Sequence, residues 1–135
     1  MKNPRTPALL VVVAHWIVAI VHLFLAAQVV PGPNNQVSGM AILFLTAGHL
    51  AVSILVWKLG DKVSGAVLLV FFLAAMAADL YEHFLHPAPN NVLMVAPGSW
   101  TAAFDASVFA LLALEILGCI LGILSLGKHP HPRAA

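Results

Sequence analysis

Four long apolar stretches dominate the chain, and short segments rich in proline, glycine and asparagine separate them. The stretches cover approximately residues 8–30, 38–57, 63–86 and 101–126. Each is long enough to cross the hydrocarbon core of a bilayer, which about 20 helical residues span. The pattern predicts an all-α integral membrane protein, a four-helix antiparallel bundle forming a single domain over 1–135. The polar segment 127–135, with its alternating histidines and prolines, is predicted to be a disordered tail.

Composition supports this class and excludes several others. Hydrophobic residues make up 61% of the chain and charged residues 8%, a balance typical of membrane proteins, with the lipid bilayer as surrounding partner. A formal net charge of +1 gives no basic stripe, so no nucleic-acid partner is expected. The single cysteine, Cys119, rules out an internal disulfide and a thiolate metal knuckle. Motifs of hydrolases and phosphate-binding loops are absent, and no catalytic residue is assigned.

The strong cations predict the orientation. All six lie near the two termini or in the second connection, and the first and third connections have none: Lys2, Arg5, Lys58, Lys62, Lys128 and Arg133. The positive-inside rule therefore places both termini in the cytoplasm of a bacterial inner (plasma) membrane type of protein. Loops 31–37 and 87–100 then lie on the outer face. The first stretch exceeds the usual apolar region of a signal peptide, about 7–15 residues, so we expect it to remain as a helix.

Acidic residues in the predicted spans carry the functional signal. Four of the five acidic residues lie within the spans or at their outer ends: Asp79, Glu82, Asp105 and Glu115. A charge at the bilayer centre costs about 2.5–3.5 kcal/mol on insertion scales, so such residues usually face a protein interior and pair with polar partners. Histidines in the same spans are the partners that the sequence offers.

The segment DLYEHFLHP at 79–87 concentrates these groups. At about 100° per residue, Asp79, Glu82, His83 and His86 fall at roughly 0°, 300°, 40° and 340° on a helical wheel. They are therefore predicted to form one stripe of the third helix. An antiparallel bundle would bring this stripe close to His22 in its outer half.

A transition-metal site is the leading hypothesis for this cluster. Imidazole and carboxylate ligands without thiolate suit zinc, iron or copper, which would give the protein a redox or metal-handling role. The predicted metal ligands are His22, Asp79, Glu82, His83, His86 and Asp105.

Haem b is the second cofactor that fits the histidines. A membrane bundle can hold haem between two histidines on different helices, where small residues leave room for the macrocycle. The predicted cofactor-binding residues are His22, His49 and His83, with His15 as an alternative to His22. Small residues also allow close helix packing without any cofactor.

Two further functions remain open. A proton-coupled small-solute carrier or channel would use His49, Asp79 and Glu115 as a proton pathway; equally, a protonated Glu115 can bond to His49 or a serine and only fix helix packing. A non-catalytic accessory subunit of a larger membrane complex is the other alternative. Gly118 and Gly122 form a G-x-x-x-G motif, which predicts a contact in a homo-oligomer.

Overall fold

The computed structural model describes residues 5–30 and 37–127 and contains four long helices. These are α1 (Arg5–Val29), α2 (Gly39–Lys58), α3 (Asp61–Leu80) and α4 (Thr101–Leu126). All four are long and apolar enough to span a membrane, and the described ranges contain no β-strand. The all-α prediction with four apolar spans is therefore confirmed. Apart from Gly127, the predicted disordered tail lies outside the described residues.

The helices pack in chain order, with the first also against the last. α1 contacts α2 and α4, and α3 contacts α2 and α4. Only Leu59 and Gly60 separate α2 from α3, so this end of the assembly is called the turn end. The opposite end carries residues 86–100 and is called the loop end.

Polar contacts close the turn end. The Ser64 hydroxyl donates to the carbonyl oxygens of Val56 and Leu59, both at 3.1 Å. Arg5 donates to the carbonyl oxygen of Trp57 at 2.6 Å and lies 3.6 Å from the carboxylate of Asp61. These bonds tie the start of α1 to the α2–α3 turn and satisfy carbonyl groups at the end of α2.

Glycines bring α3 and α4 into close contact. A Cβ atom on Gly65 would lie 2.7 Å from the carbonyl oxygen of Gly122, and one on Gly118 would overlap the ring of Phe72. Gly118 and Gly122 are buried against α3 of the same chain. Both glycines are thus used in packing within the chain, and the predicted contact with a second copy stays a prediction.

The apolar core lies nearer the turn end. Val12, Val56, Leu68 and Phe72 are almost fully buried within it. The buried side chains of α2 are His49, Val52 and Val56, all in the second half of that helix. The first half of α2 therefore packs loosely, and a cavity lies beside it.

The third helix ends in a π-helical turn, Tyr81–Leu85. The His86 amide donates to the carbonyl oxygen of Tyr81 at 2.7 Å, so this turn is wider than an α-helical one. His83 is only 4% exposed, whereas the side chains of Glu82 and His86 are 49% and 44% exposed. The prediction of a single stripe is wrong for these two, because a wider turn changes the angle between successive side chains.

Candidate functional site

A chain of hydrogen bonds joins three buried side chains from three helices. Nδ1 of His15 lies 2.8 Å from Nε2 of His49, and Nε2 of His15 lies 3.2 Å from Oε1 of Glu115. The exposed fractions of Glu115, His15 and His49 are 0%, 4% and 5%. α1, α2 and α4 thus each supply one member of this group, called the Glu115–His15–His49 chain.

The acceptor at one end restricts where protons can lie. Nδ1 of His49 is 2.7 Å from the carbonyl oxygen of Leu45, and a carbonyl can only accept, so this nitrogen donates. With His49 neutral, its Nε2 must accept a hydrogen bond from the Nδ1–H group of His15. Nε2 of a neutral His15 is then also an acceptor, and Glu115 must be the donor.

One further proton can occupy three places along this chain. It can lie on Glu115, on His15 as an imidazolium beside the carboxylate, or on His49 if His15 donates through Nε2 instead. Each arrangement keeps the three side chains electrically neutral as a group and satisfies both hydrogen bonds. Because burying an uncompensated charge is costly, this neutrality is what permits the group to occupy the apolar interior.

The members of the chain lie near the middle of their helices. His15 is the eleventh of 25 residues in α1, His49 the eleventh of 20 in α2, and Glu115 the fifteenth of 26 in α4. At about 1.5 Å per residue, each is roughly 15–20 Å from either end of the helix. The chain therefore lies at the depth of a bilayer centre when the helices span a membrane.

A cavity of about 310 Å³ borders the chain on the loop-end side. His15, His49 and Glu115 line it together with His22 and Asp79, and its remaining lining is apolar. Its volume corresponds to roughly ten water molecules at about 30 Å³ each. Oε2 of Glu115 is buried and has no hydrogen-bond partner. The carboxyl group thus holds His15 with one oxygen, and its other oxygen faces the cavity beside the carboxyl group of Asp79.

Two more histidines lie together towards the loop end. The rings of His22 and His83 are nearly perpendicular, with centroids 4.8 Å apart. Nδ1 of His22 is 2.9 Å from the Ser107 hydroxyl, which itself donates to a backbone carbonyl oxygen. Nδ1 of His83 is 3.0 Å from the carbonyl oxygen of Asn90. Both histidines therefore donate through Nδ1, and neutral rings keep a lone pair on Nε2.

The structure separates the six predicted metal ligands. His22 and His83 are adjacent, and Asp79 is within electrostatic range of His83. Glu82 and His86 pair with each other at 3.6 Å near the surface, and Oδ1 of Asp105 is buried without a partner. Among residues 5–30 and 37–127, no group of three or more His, Cys, Asp or Glu side chains is arranged to hold a metal ion.

The residues of the predicted proton pathway lie close together, but those of the predicted haem site do not all do so. His49 and Glu115 from the predicted proton pathway are joined through His15, and Asp79 lines the same cavity. His49 shares no ring contact with His22 or His83; its ring is hydrogen-bonded to that of His15.

The sequence gives His22 the central position on α1, whereas in the structure His15 joins His49 to Glu115. Its spacing of seven residues from His22 indicated a shared face but not which depth would meet Glu115. Ser107 and the Asn90 carbonyl were also missed, since no local pattern marks an anchor for a distant histidine.

Comparisons with protein-family models, with curated proteins and with solved structures found no match to this chain. The function is therefore argued from the site alone.

Proposed function

We propose that the protein is a proton-coupled carrier of a small solute. Its four helices would form an antiparallel bundle in a bacterial inner-type membrane, with both termini in the cytoplasm and the loop end outside. The observation that carries this proposal is the fully buried Glu115, which bonds to His15 with one carboxyl oxygen while the other is unpartnered beside a cavity.

The cation distribution supports the orientation. Lys58 and Lys62 flank the α2–α3 turn, and Arg5 lies at the same end. The described part of the loop end, residues 86–100, contains neither lysine nor arginine. Positive residues favour the cytoplasmic side, so the cavity and His83 would lie in the outer half of the membrane.

Coupled transport requires a side chain at which binding of the proton affects binding of the solute. Glu115 meets this condition because its protonation is linked to His15 and His49, while its free oxygen can contact whatever fills the cavity. A solute that lowers the affinity of Glu115 for its proton by some factor is itself bound less tightly, by the same factor, when Glu115 is protonated, since linkage is reciprocal. The geometry thus supports coupling without any cofactor.

Solute-driven proton movement in proteoliposomes tests the proposal. Vesicles containing an internal pH indicator would receive cationic, neutral and anionic solutes in turn, under an imposed pH gradient. We expect the wild type to move protons with one class of solute and Glu115→Gln to lose that response, because an amide cannot release the proton. Glu82→Gln is the matched control, since this carboxyl is half exposed and pairs with His86 only.

Two results would count against proton-coupled transport. Equal responses from wild type and Glu115→Gln would remove Glu115 from the mechanism. No response with any solute, combined with copurification of large membrane partners, would favour the accessory-subunit alternative.

A metal site at His22 and His83 is the second candidate. Two imidazoles on one tetrahedral metal ion, with bonds of about 2.0–2.1 Å, place their ring centres roughly 5 Å apart, and these rings are 4.8 Å apart. The Nδ1 bonds of both rings are of the kind that orients metal-binding histidines. Solute or water would have to complete the ligand set.

Absorption spectra and metal analysis of the purified protein test this candidate. A Soret band would indicate haem b, and near-stoichiometric zinc, iron or copper without that band would indicate a metal ion. His83→Ala should lose the bound group, whereas His86→Ala should retain it because His86 is half exposed and paired with Glu82. Retention in both variants would exclude the His22 and His83 site.

A further inference from the structure

The cavity beside Glu115 is lined by carboxyl groups and histidines. Within the part of the chain that the structure describes, its lining contains two carboxyl groups, Asp79 and Glu115, and three histidines, but no lysine or arginine. Asp79 is within electrostatic range of Glu115. No fixed positive charge in the lining compensates these carboxyl groups when they are ionised, so the cavity can attract cations and has nothing fixed with which to hold an anion.

From this arrangement we propose that the carried solute is an organic monocation with an apolar body, exchanged for a proton at Glu115. The inference rests on the proposed proton-coupled carrier and adds the class of its substrate. It depends on the charge of the cavity lining and on the unpartnered carboxyl oxygen, both of which favour a positive ligand.

The walls of the cavity fit the apolar part of such a ligand. Leucines and alanines supply most of the remaining lining, and Phe71 offers an aromatic ring. A cation over an aromatic face gains about 0.5–2 kcal/mol, more where water is excluded. A small inorganic ion would lose most of its hydration here for few oxygen ligands, whereas an alkylated ammonium group loses little. The lining therefore favours an organic cation.

Exchange with a proton conserves the charge of the site. Before exchange the Glu115–His15–His49 chain carries its shared proton and is neutral as a group. When the cation enters, that proton leaves to water and one hydrogen bond of the chain is lost with it. Glu115 remains as a carboxylate, and the cation restores neutrality. The other groups that face Glu115 are Asp79 on α3 and Cys119 on its own helix. Neither is a fixed charge that would block the exchange.

The packing of α2 offers a route of entry. The cavity reaches Ala41 and Leu45 in the first half of α2, where that helix buries no side chain. An amphiphilic cation concentrated at the membrane surface can enter beside this loosely packed segment. Its charged end would then reach Glu115 while its apolar body remains against the leucines.

Proton release on ligand addition tests the inference directly. Detergent-solubilised protein in weak buffer with a pH indicator would receive benzyltrimethylammonium, its neutral carbon isostere neopentylbenzene, or benzenesulfonate. Because one monovalent cation replaces one proton, we expect about one proton released per bound cation and almost none with the other two probes. Detergent without protein corrects for partition into micelles.

Two variants and the choice of probes separate the outcomes. Glu115→Gln should abolish the proton release. Ala75→Leu fills the cavity without changing an ionisable group, so it should raise the cation concentration needed for half-maximal release at least tenfold. No release with the cation, or equal release with the neutral or anionic probe, would overturn the inference. If a neutral or anionic solute still drives Glu115-dependent proton flux in proteoliposomes, the carrier stands and only its substrate class is wrong.

Discussion

Substitution of His15 by leucine gives the sharpest test of the buried chain. His15 makes one bond to His49 and one to Glu115, so His15→Leu removes both at once. Hydrogen bonds between membrane helices contribute about 0.6 kcal/mol on average and up to about 1.7 kcal/mol. Two lost bonds should therefore cost about 1–3 kcal/mol. We expect the upper half of this range, because Glu115 is 0% exposed and would be left without a partner.

Adding Glu115→Leu predicts a change in the sign of the stability effect. Glu115→Leu alone should destabilise the protein, because it removes a bond and leaves Nε2 of His15 unpaired. In the His15→Leu background the same change removes a buried carboxyl group that has no partner, so it should be neutral or stabilising. The effect of Glu115→Leu thus reverses or disappears when His15 is absent.

Unfolding in mixed micelles of increasing SDS fraction, followed by tryptophan fluorescence, measures these free energies. Ser64→Ala combined with Glu115→Leu is the control pair, because Ser64 bonds only to carbonyl oxygens at the turn end. That pair should be additive within about 0.5 kcal/mol. If His15→Leu and Glu115→Leu are equally additive, the two side chains are not coupled and the buried chain is refuted.

Four further substitutions have expected outcomes in the same unfolding assay. Gly118→Ala should cost about 1–3 kcal/mol because its Cβ would overlap Phe72. Gly48→Ala, with open space around the residue, should be neutral or stabilising. Equal effects of the two substitutions would contradict the close contact of α3 and α4. Ser107→Ala should cost about 1 kcal/mol through the lost anchor of His22, and no loss would mean that this bond contributes nothing. Glu82→Gln should change stability by less than about 0.5 kcal/mol because its contact with His86 is half exposed; a larger loss would place Glu82 in the interior.

The sequence predicted the four helices well because a span needs only length and hydrophobicity, both of which are local. It also selected Glu115 and His49, since a polar group within an apolar helix is visible without any partner. It failed for Glu82 and His86, because the wheel assumed an α-helical step where the chain forms a π turn. Which histidine meets Glu115 depends on the relative shift of α1 and α4, which no local pattern specifies.

The two pairs of histidines differ in how many ring nitrogens are used in hydrogen bonds, and this difference gives them different chemistry. His15 and His49 use both ring nitrogens in hydrogen bonds, so they can shift a proton but cannot bind a ligand without breaking the chain. His22 and His83 use Nδ1 only, so Nε2 can accept a proton, a metal ion or a solute donor. Substitution of His83 should therefore remove metal binding while the stability contributed by the Glu115–His15–His49 chain is retained. Substitution of His49 should lower that stability while metal binding at His22 and His83 is retained.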